Sequence, residues 1–304
     1  MEKSPVRYQS DEEDSGRWDG FPFRAGDIVI STRSKTGTTW VQMICALLIF
    51  QTPDLPAPLG RLSPWLDHTI TPLAEVTGRL EDQQHRRFIK THTPLDGIPL
   101  DPRATYLVTA RNPLDMSVSL YHQGDNIDRA RVRQLTGQPE PSVPTAPRPP
   151  LREWLLQRID SDADPRAAMD SLPGVMWHLS DAWARRGEPN VMLVHYDNLS
   201  ADLEGQMRRI AGRLGIGIPE ARWPALVEAA SFEQMRANSA NLVSAGGILK
   251  DRAAFFRRGT SGAGAEILSP AELAHYQERI ARLAPPDLLG WLHSPGDHPD
   301  PDAG

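Results

Sequence analysis

One cysteine stands in a chain of 304 residues, so no disulfide forms within it. Cys45 lies inside the apolar run 40–50 and reads as core filling in a protein of the reducing cytoplasm. Positive charge is not in excess either. A formal net charge of −6 excludes general affinity for nucleic acid, yet leaves room for a small polyanion held by a local group of cations. No apolar run approaches the ~20 residues of a membrane span, so membrane insertion is not expected. The N-terminus carries Asp11, Glu12, Glu13 and Asp14 and lacks the apolar stretch of a signal peptide. No internal repeat is present, and the 9 histidines show no ligand-set spacing, so no metal site is expected.

What is present builds a globular core: 39% of residues are hydrophobic, and 8 are tryptophan. The length suits one α/β domain over residues 1–304 with loop insertions. Four short β-branched or apolar runs read as buried strands, at Asp27 to Thr32, Arg87 to Lys90, Thr105 to Ala110 and Val191 to His195. Helical patterns lie between and after them. Residues 38–51 are apolar nearly all round, as for a helix buried on a sheet. Asn112-Pro113 reads as N-cap and first helical residue of a helix to about Gln123. Leu203, Met207, Ile210, Ala211 and Leu214 form one stripe closed by Gly215, and Ser269, Pro270 and Glu272 open a helix that Pro285-Pro286 stops. Strands alternating with helices predict a mostly parallel central sheet flanked by helices. Outside it, residues 1–20 read as a partly flexible segment, 124–150 as a proline-rich surface loop, and 294–304 as a disordered tail.

The first strand runs into Lys35-Thr36-Gly37-Thr38-Thr39-Trp40 and then the buried helix. A strand, a glycine turn and a helix N-terminus make an anion cradle of backbone N–H groups, to which hydroxyls and a lysine add donors. The Walker pattern is absent, since the lysine precedes the glycine, and an ordinary turn with a surface lysine is the competing reading. Lys90-Thr91-His92 places a lysine and a histidine on one face at the second strand's end, roughly 7 Å apart. Taken alone that tripeptide reads rather as a solvated strand end. Arg111 ends the third strand, with Ser119 two turns into the next helix, and Tyr196 follows the fourth. Position decides between these readings. Lys35, His92, Arg111 and Tyr196 all fall beyond the carboxyl ends of strands, the edge where open α/β sheets bind ligands.

These residues resemble the cytosolic sulfotransferases. The run Lys35 to Trp40 is similar to the family's P-loop-like phosphosulfate loop, with Thr36 where serine is commoner, and Lys90-Thr91-His92 resembles its KTH element. Arg111 and Ser119 match the pair that holds the cofactor's 3′-phosphate. Tyr196 and Phe232 resemble its adenine contacts, and Arg257-Arg258-Gly259 its late RKG element. The likeness runs from about Gly26 to Leu289. Segments Ser63 to Ile70, Gln84 to Ile98 and Leu283 to His293 look closest to actinobacterial glycolipid sulfotransferases.

The resemblance implies transfer of a sulfuryl group from 3′-phosphoadenosine-5′-phosphosulfate (PAPS) to a small-molecule hydroxyl, with a glycolipid foremost and without a metal. It makes His92 the base, working near the ordinary histidine pKa, Lys35 the partner of the leaving 5′-phosphate, and Lys90 the group that orients the reacting oxygens. Arg111, Ser119, Arg257 and Arg258 hold the 3′-phosphate, and Trp40, Tyr196 and Phe232 the adenine. Two departures stand out. Gly262-Ala263-Gly264-Ala265 replaces the usual Gly-Asp-Trp-Lys, which loosens the closing loop or opens the acceptor pocket, and Ala230 stands where threonine is common. The C-terminal dimerisation element of animal members is not evident, which leaves the oligomeric state open. Two other readings compete: a P-loop kinase of a small alcohol, and a nucleotide-binding protein that has lost catalysis.

Overall fold

The four apolar runs become four parallel strands, β1 (Ile28–Thr32), β2 (Phe88–Thr91), β3 (Thr105–Ala110) and β4 (Val191–His195), each within one residue of its expected ends. The structure is a computed structural model that describes residues 4–140, 147–242, 247–294, 296 and 301. The sheet order is β2-β1-β3-β4, so the chain leaves β1 for one flank and returns past it to β3 on the other. The crevice at the carboxyl ends of β1 and β3 is therefore the point where the strand order reverses, the usual ligand position in such sheets.

Alternation along the strands feeds two cores. Val29, Ile89, Val108 and Leu193 pack on one face with Met116, Val118 and Leu179. Ile30, Phe88, Leu107 and Val194 pack on the other with Ile44, Leu47 and Ile210. Both faces are dry, which is why the strands read as continuous apolar runs. The helix Thr38–Phe50 is buried nearly all round, and its Cys45 thiol is pushed up by burial to about 12, inert as expected of core filling.

Local signals place most helix ends. Asn112 accepts a hydrogen bond from the Leu114 N–H at the start of the helix Pro113–Asn126. Gly215 takes φ 63° after Leu203–Leu214, and Ser269 with Glu272 forms a full capping box. Pro285-Pro286 follows the helix Pro270–Ile280, and Pro286 also opens a last helix, Pro286–His293, as first-turn proline permits.

The expectations at the periphery need correction. Residues 124–150 are not one loop, because the preceding helix reaches Asn126 and a second helix spans Arg129–Thr136. Asp128 caps it and Gly137 closes it at φ 69°, signals hidden by the polar composition. Residues 141–146 of that segment lie outside the described residues. The N-terminal segment from residue 4 is packed against the body: Tyr8 and Trp18 are fully buried, Val6 donates its N–H to the Asp96 carbonyl, and Asp14 to that of Asp67. Of the tail 294–304, only Ser294, Gly296 and Pro301 are among the described residues.

Candidate active site

The turn after β1 is built around two left-handed residues, Lys35 at φ 66° and Gly37 at φ 109°. A Cβ at Gly37 would stand 3.2 Å from the Tyr196 ring, so glycine serves both the backbone angle and the close approach. Thr36 is turned inward. Its hydroxyl donates to the Arg33 carbonyl at 2.7 Å and lies 2.7 Å from that of Thr109, so its side chain ties the loop to β3 rather than lining the cleft. Thr32 and Thr38 join hydroxyls at 2.6 Å across the same turn.

A cleft of about 90 Å³ opens over this loop, and it collects the other residues expected to hold the donor. Lys35, Gly37, Thr38, Thr39 and Trp40 form its floor. Arg111 enters from the end of β3 and Ser119 from the helix that follows, and Tyr196, Phe232, Arg257, Arg258 and Gly259 close it. The Arg111 guanidinium lies over the Tyr196 ring at 4.0 Å and donates to the carbonyls of Lys35 and Thr260, both at 3.2 Å. Trp40 uses its indole N–H on the Ala230 carbonyl at 2.9 Å and meets Tyr196 edge-on. The backbone of position 230 is what matters there, so alanine serves.

Charge is concentrated in this cleft. The chain has four lysines, at positions 3, 35, 90 and 250; Lys35 lies here and Lys90 lines the cavity beside it. Among the described residues Lys35, Lys90, Arg111 and Arg257 form no ion pair. Burial, with Arg111, Arg257 and Lys90 nearby, lowers the Lys35 ammonium to about 7. Arg257 is likewise lowered by burial and by its neighbours Arg258 and Arg111. The Nε atoms of Arg111 and Arg257 are buried and lack hydrogen-bond partners. Like charges held together, with donors unspent, fit a polyanion between them.

His92 and Lys90 lie in a second cavity of about 430 Å³, which shares Lys35, Thr38, Thr39 and Phe255 with the first. His92 is 4% exposed, and its ring Nδ1 meets the Thr32 carbonyl oxygen. A carbonyl only accepts, so Nδ1 carries the proton and Nε2 keeps a free lone pair. Burial, with Lys90 and Arg33 nearby, holds the imidazolium well below the ordinary histidine range. The expectation of a base with an ordinary histidine pKa is thereby corrected: the shift is downward, which favours the neutral imidazole. Lys90 sits 3.5 Å over the Trp65 ring, and burial lowers its ammonium to about 8.

The altered segment 262–265 does not hang loose. Gly262 takes φ 93° and begins a short helix, Ala263–Ile267, whose N–H groups at Gly262 and Gly264 donate to the Asp115 carboxylate at 2.8 and 2.9 Å. A Cβ at Gly264 would stand 2.3 Å from the Leu114 Cβ. The small residues thus let this helix seat on the start of Pro113–Asn126, while Arg258 reaches Glu266 at 3.2 Å. Gly259 passes so close to Phe232 that a Cβ would meet its ring at 2.7 Å. Replacing Gly264 by alanine is expected to cost about 1–3 kcal/mol of overpacking, and so weaken 3′-phosphoadenosine-5′-phosphate (PAP) about 5- to 150-fold by unseating Arg257 and Arg258. Titration calorimetry on the folded variant checks this, and wild-type affinity would mean the loop closes independently of that helix.

Sequence reasoning missed several cleft residues. Phe255 packs under the Lys35 ammonium at 3.6 Å, and Phe256 and Met235 line the same cleft. The paired phenylalanines just before Arg257 were the available signal. Arg33 also went unnoticed. It is buried, pairs with Asp170 at 2.8 Å and Glu13 at 3.5 Å, and donates to the His92 carbonyl. Nothing local in the sequence marks Asp170 as its partner.

Unpaired cations beside a glycine turn suit an anionic, nucleotide-like donor, and the lone pair one cavity away suits taking a proton from an acceptor. Together they define a group-transfer enzyme of the α/β class. The chain matches the sulfotransferase domain over residues 25–284. It is 40% identical to the glycolipid sulfotransferases of Mycobacterium bovis and Mycobacterium tuberculosis, over 95% of this chain and 94% of theirs. A mouse sulfotransferase complexed with PAP superposes with a TM-score of 0.64 at 20% identity, covering 88% of each chain. The chain belongs to the sulfotransferase family and is a PAPS-dependent sulfotransferase. The kinase reading falls with this match.

Proposed function

We propose that this enzyme transfers the sulfuryl group of PAPS to a hydroxyl of a glycolipid, with His92 as the base that takes the acceptor's proton. The observation that carries the proposal is the His92 ring, its Nδ1 turned to the Thr32 carbonyl, in a cavity that meets the cationic cleft at Lys35. The mycobacterial relatives support a glycolipid as the acceptor. PAPS supplies an activated sulfuryl group on a good leaving phosphate. The chain's own residues do the rest. Lys35 neutralises charge growing on the 5′-phosphate, backed by the N–H groups of the Gly37 to Trp40 turn. Arg111, Arg257, Arg258 and Ser119 grip the 3′-phosphate, where guanidinium groups suit bidentate contact. Tyr196 supports the Arg111 guanidinium on its ring face, while Trp40 and Phe232 wall the adenine. Lys90 orients the acceptor oxygen toward His92 Nε2. A lone buried Cys45 fits a reducing cytoplasm for this reaction, and no helix among the described residues is long and apolar enough to cross a membrane.

Labelled PAPS offered with a neutral alkyl glycoside tests the proposal: labelled sulfate ester should form, and its absence with every glycoside would overturn the acceptor class. The donor grip has its own test. Arg257→Ala should weaken PAPS about 10- to 150-fold, the worth of one charged hydrogen bond. Adenosine 5′-phosphosulfate, which lacks the 3′-phosphate, should be weakened far less. Equal losses for the two donors would show that Arg257 does not hold the 3′-phosphate.

A further inference from the structure

The second cavity has two chemically different walls. One comes from the N-terminal segment and the end of β1, where Asp11, Glu12 and Glu13 stand with Asp170. The hydrogen bonds that pin this wall run from the Asp14 N–H to the Asp67 carbonyl and from the Thr69 N–H to the Glu12 carbonyl, both 2.8 Å. Its one buried cation, Arg33, is already paired with Glu13 and Asp170, and Arg129 lies near Glu12. A second part of the lining is mainly apolar, with Gln123 its polar member. Leu120 and Val132 come from the two helices after β3 and Ile127 from the link between them, and Ile248 and Leu249 are stitched to that link by a bridge between Ile127 and Leu249. Lys90 and His92 line the same cavity as both walls.

We infer that this cavity sorts an amphipathic acceptor end to end, taking an uncharged, hydroxyl-bearing head against the carboxylate wall and its alkyl chain against the apolar wall, and that it turns away anionic heads. The inference rests on the glycolipid reading above and adds the polarity of the site and the charge of the head. Carboxylates accept hydrogen bonds from hydroxyls and repel a second anion, whereas the aliphatic wall rewards each methylene it removes from water. Burial raises the Glu13 carboxyl to about 7, so near neutrality it also donates to a sugar oxygen.

Octyl glucoside, methyl glucoside and octyl glucuronide, offered singly with labelled PAPS, separate these contributions. Octyl glucoside is expected to exceed octyl glucuronide in kcat/KM by about tenfold at low salt, with the gap narrowing as salt screens the wall. In an Asp11→Asn/Glu12→Gln variant the preference should shrink severalfold. Octyl glucoside should also exceed methyl glucoside by about tenfold or more, since several of its methylenes leave water against the aliphatic residues. Ile127→Asp should remove that gain, and the chain-length comparison in the wild type stands even if that variant fails to fold. A glucuronide used as well as the glucoside, or a preference unchanged in the double variant, overturns the inference and leaves the glycolipid reading intact. Sulfation of a simple phenol or alkanol but of no glycoside overturns both.

Discussion

His92→Ala is expected to lower kcat by about 10²- to 10⁴-fold, the usual contribution of a positioned general base. PAP affinity should stay close to wild type, because His92 lies in the acceptor cavity and does not line the donor cleft. The pH dependence separates this role from a merely structural one. Neutral imidazole is the working form, and it persists above a pKa that burial, Lys90 and Arg33 push well below the ordinary histidine range. Activity should therefore hold level as the pH falls through about 6.5, the ordinary histidine pKa. The decline belongs on the alkaline side. Lys35 works as a cation, its ammonium is lowered to about 7 in the free enzyme, and kcat/KM reports the free enzyme. So kcat/KM for PAPS should fall as the pH rises past that value, while kcat, measured with the anionic donor in place, should hold to higher pH. An acid limb near the ordinary histidine pKa, or an unchanged rate in His92→Ala, would remove His92 from the role and leave Lys90 as the next candidate.

Lys35→Ala should cut kcat by about 100- to 1,000-fold, the size seen on removing one preorganised stabiliser of transition-state charge. The fold should survive. Lys35 belongs to a turn, among the described residues its ammonium meets the ring and carbonyl of Phe255, and its left-handed φ of 66° is no easier for lysine than for alanine. Lys35→Arg should restore only part of the rate, since a planar guanidinium cannot take the place of a compact ammonium over Phe255. Single-turnover measurements on the folded variants check the chemical step directly, and a near-normal rate in Lys35→Ala would end its assignment to the leaving group.

The sheet and the donor loop were legible because their signals are local. Strands buried on both faces must be continuous apolar runs, and a strand entering a buried helix through a glycine turn has few other uses. The order of the motifs along the chain is enough to bring Lys35, Lys90, His92 and Arg111 to one edge of the sheet. The peripheral elements were harder. Tyr8 and Trp18 are isolated apolar residues in a polar segment, so no periodicity announces that they are buried. The helix Arg129–Thr136 is arginine-rich and polar, with Val132 its one buried side chain. Thr36 shows the limit within a recognised motif, where its placement in the loop was right but its hydroxyl faces Thr109 rather than the cleft.

By itself, the sequence determined the fold class, the family and the residues able to do the chemistry, because each depends on short spacings: strand into turn, cap into helix, histidine two after lysine. Tertiary structure alone decided how those residues behave. Burial beside Lys90 and Arg33, groups brought there by separate strands, makes His92 a neutral base rather than one with an ordinary histidine pKa. Arg257, far along the chain, helps to lower Lys35. Seating of Gly262 to Ala265 on Asp115 and Leu114 turns an apparent loss of side chains into a close contact. The acceptor cavity joins the N-terminal segment to residues near 170 and 249, and a field or a cavity made by groups so far apart in the chain exists only once the backbone has brought them together.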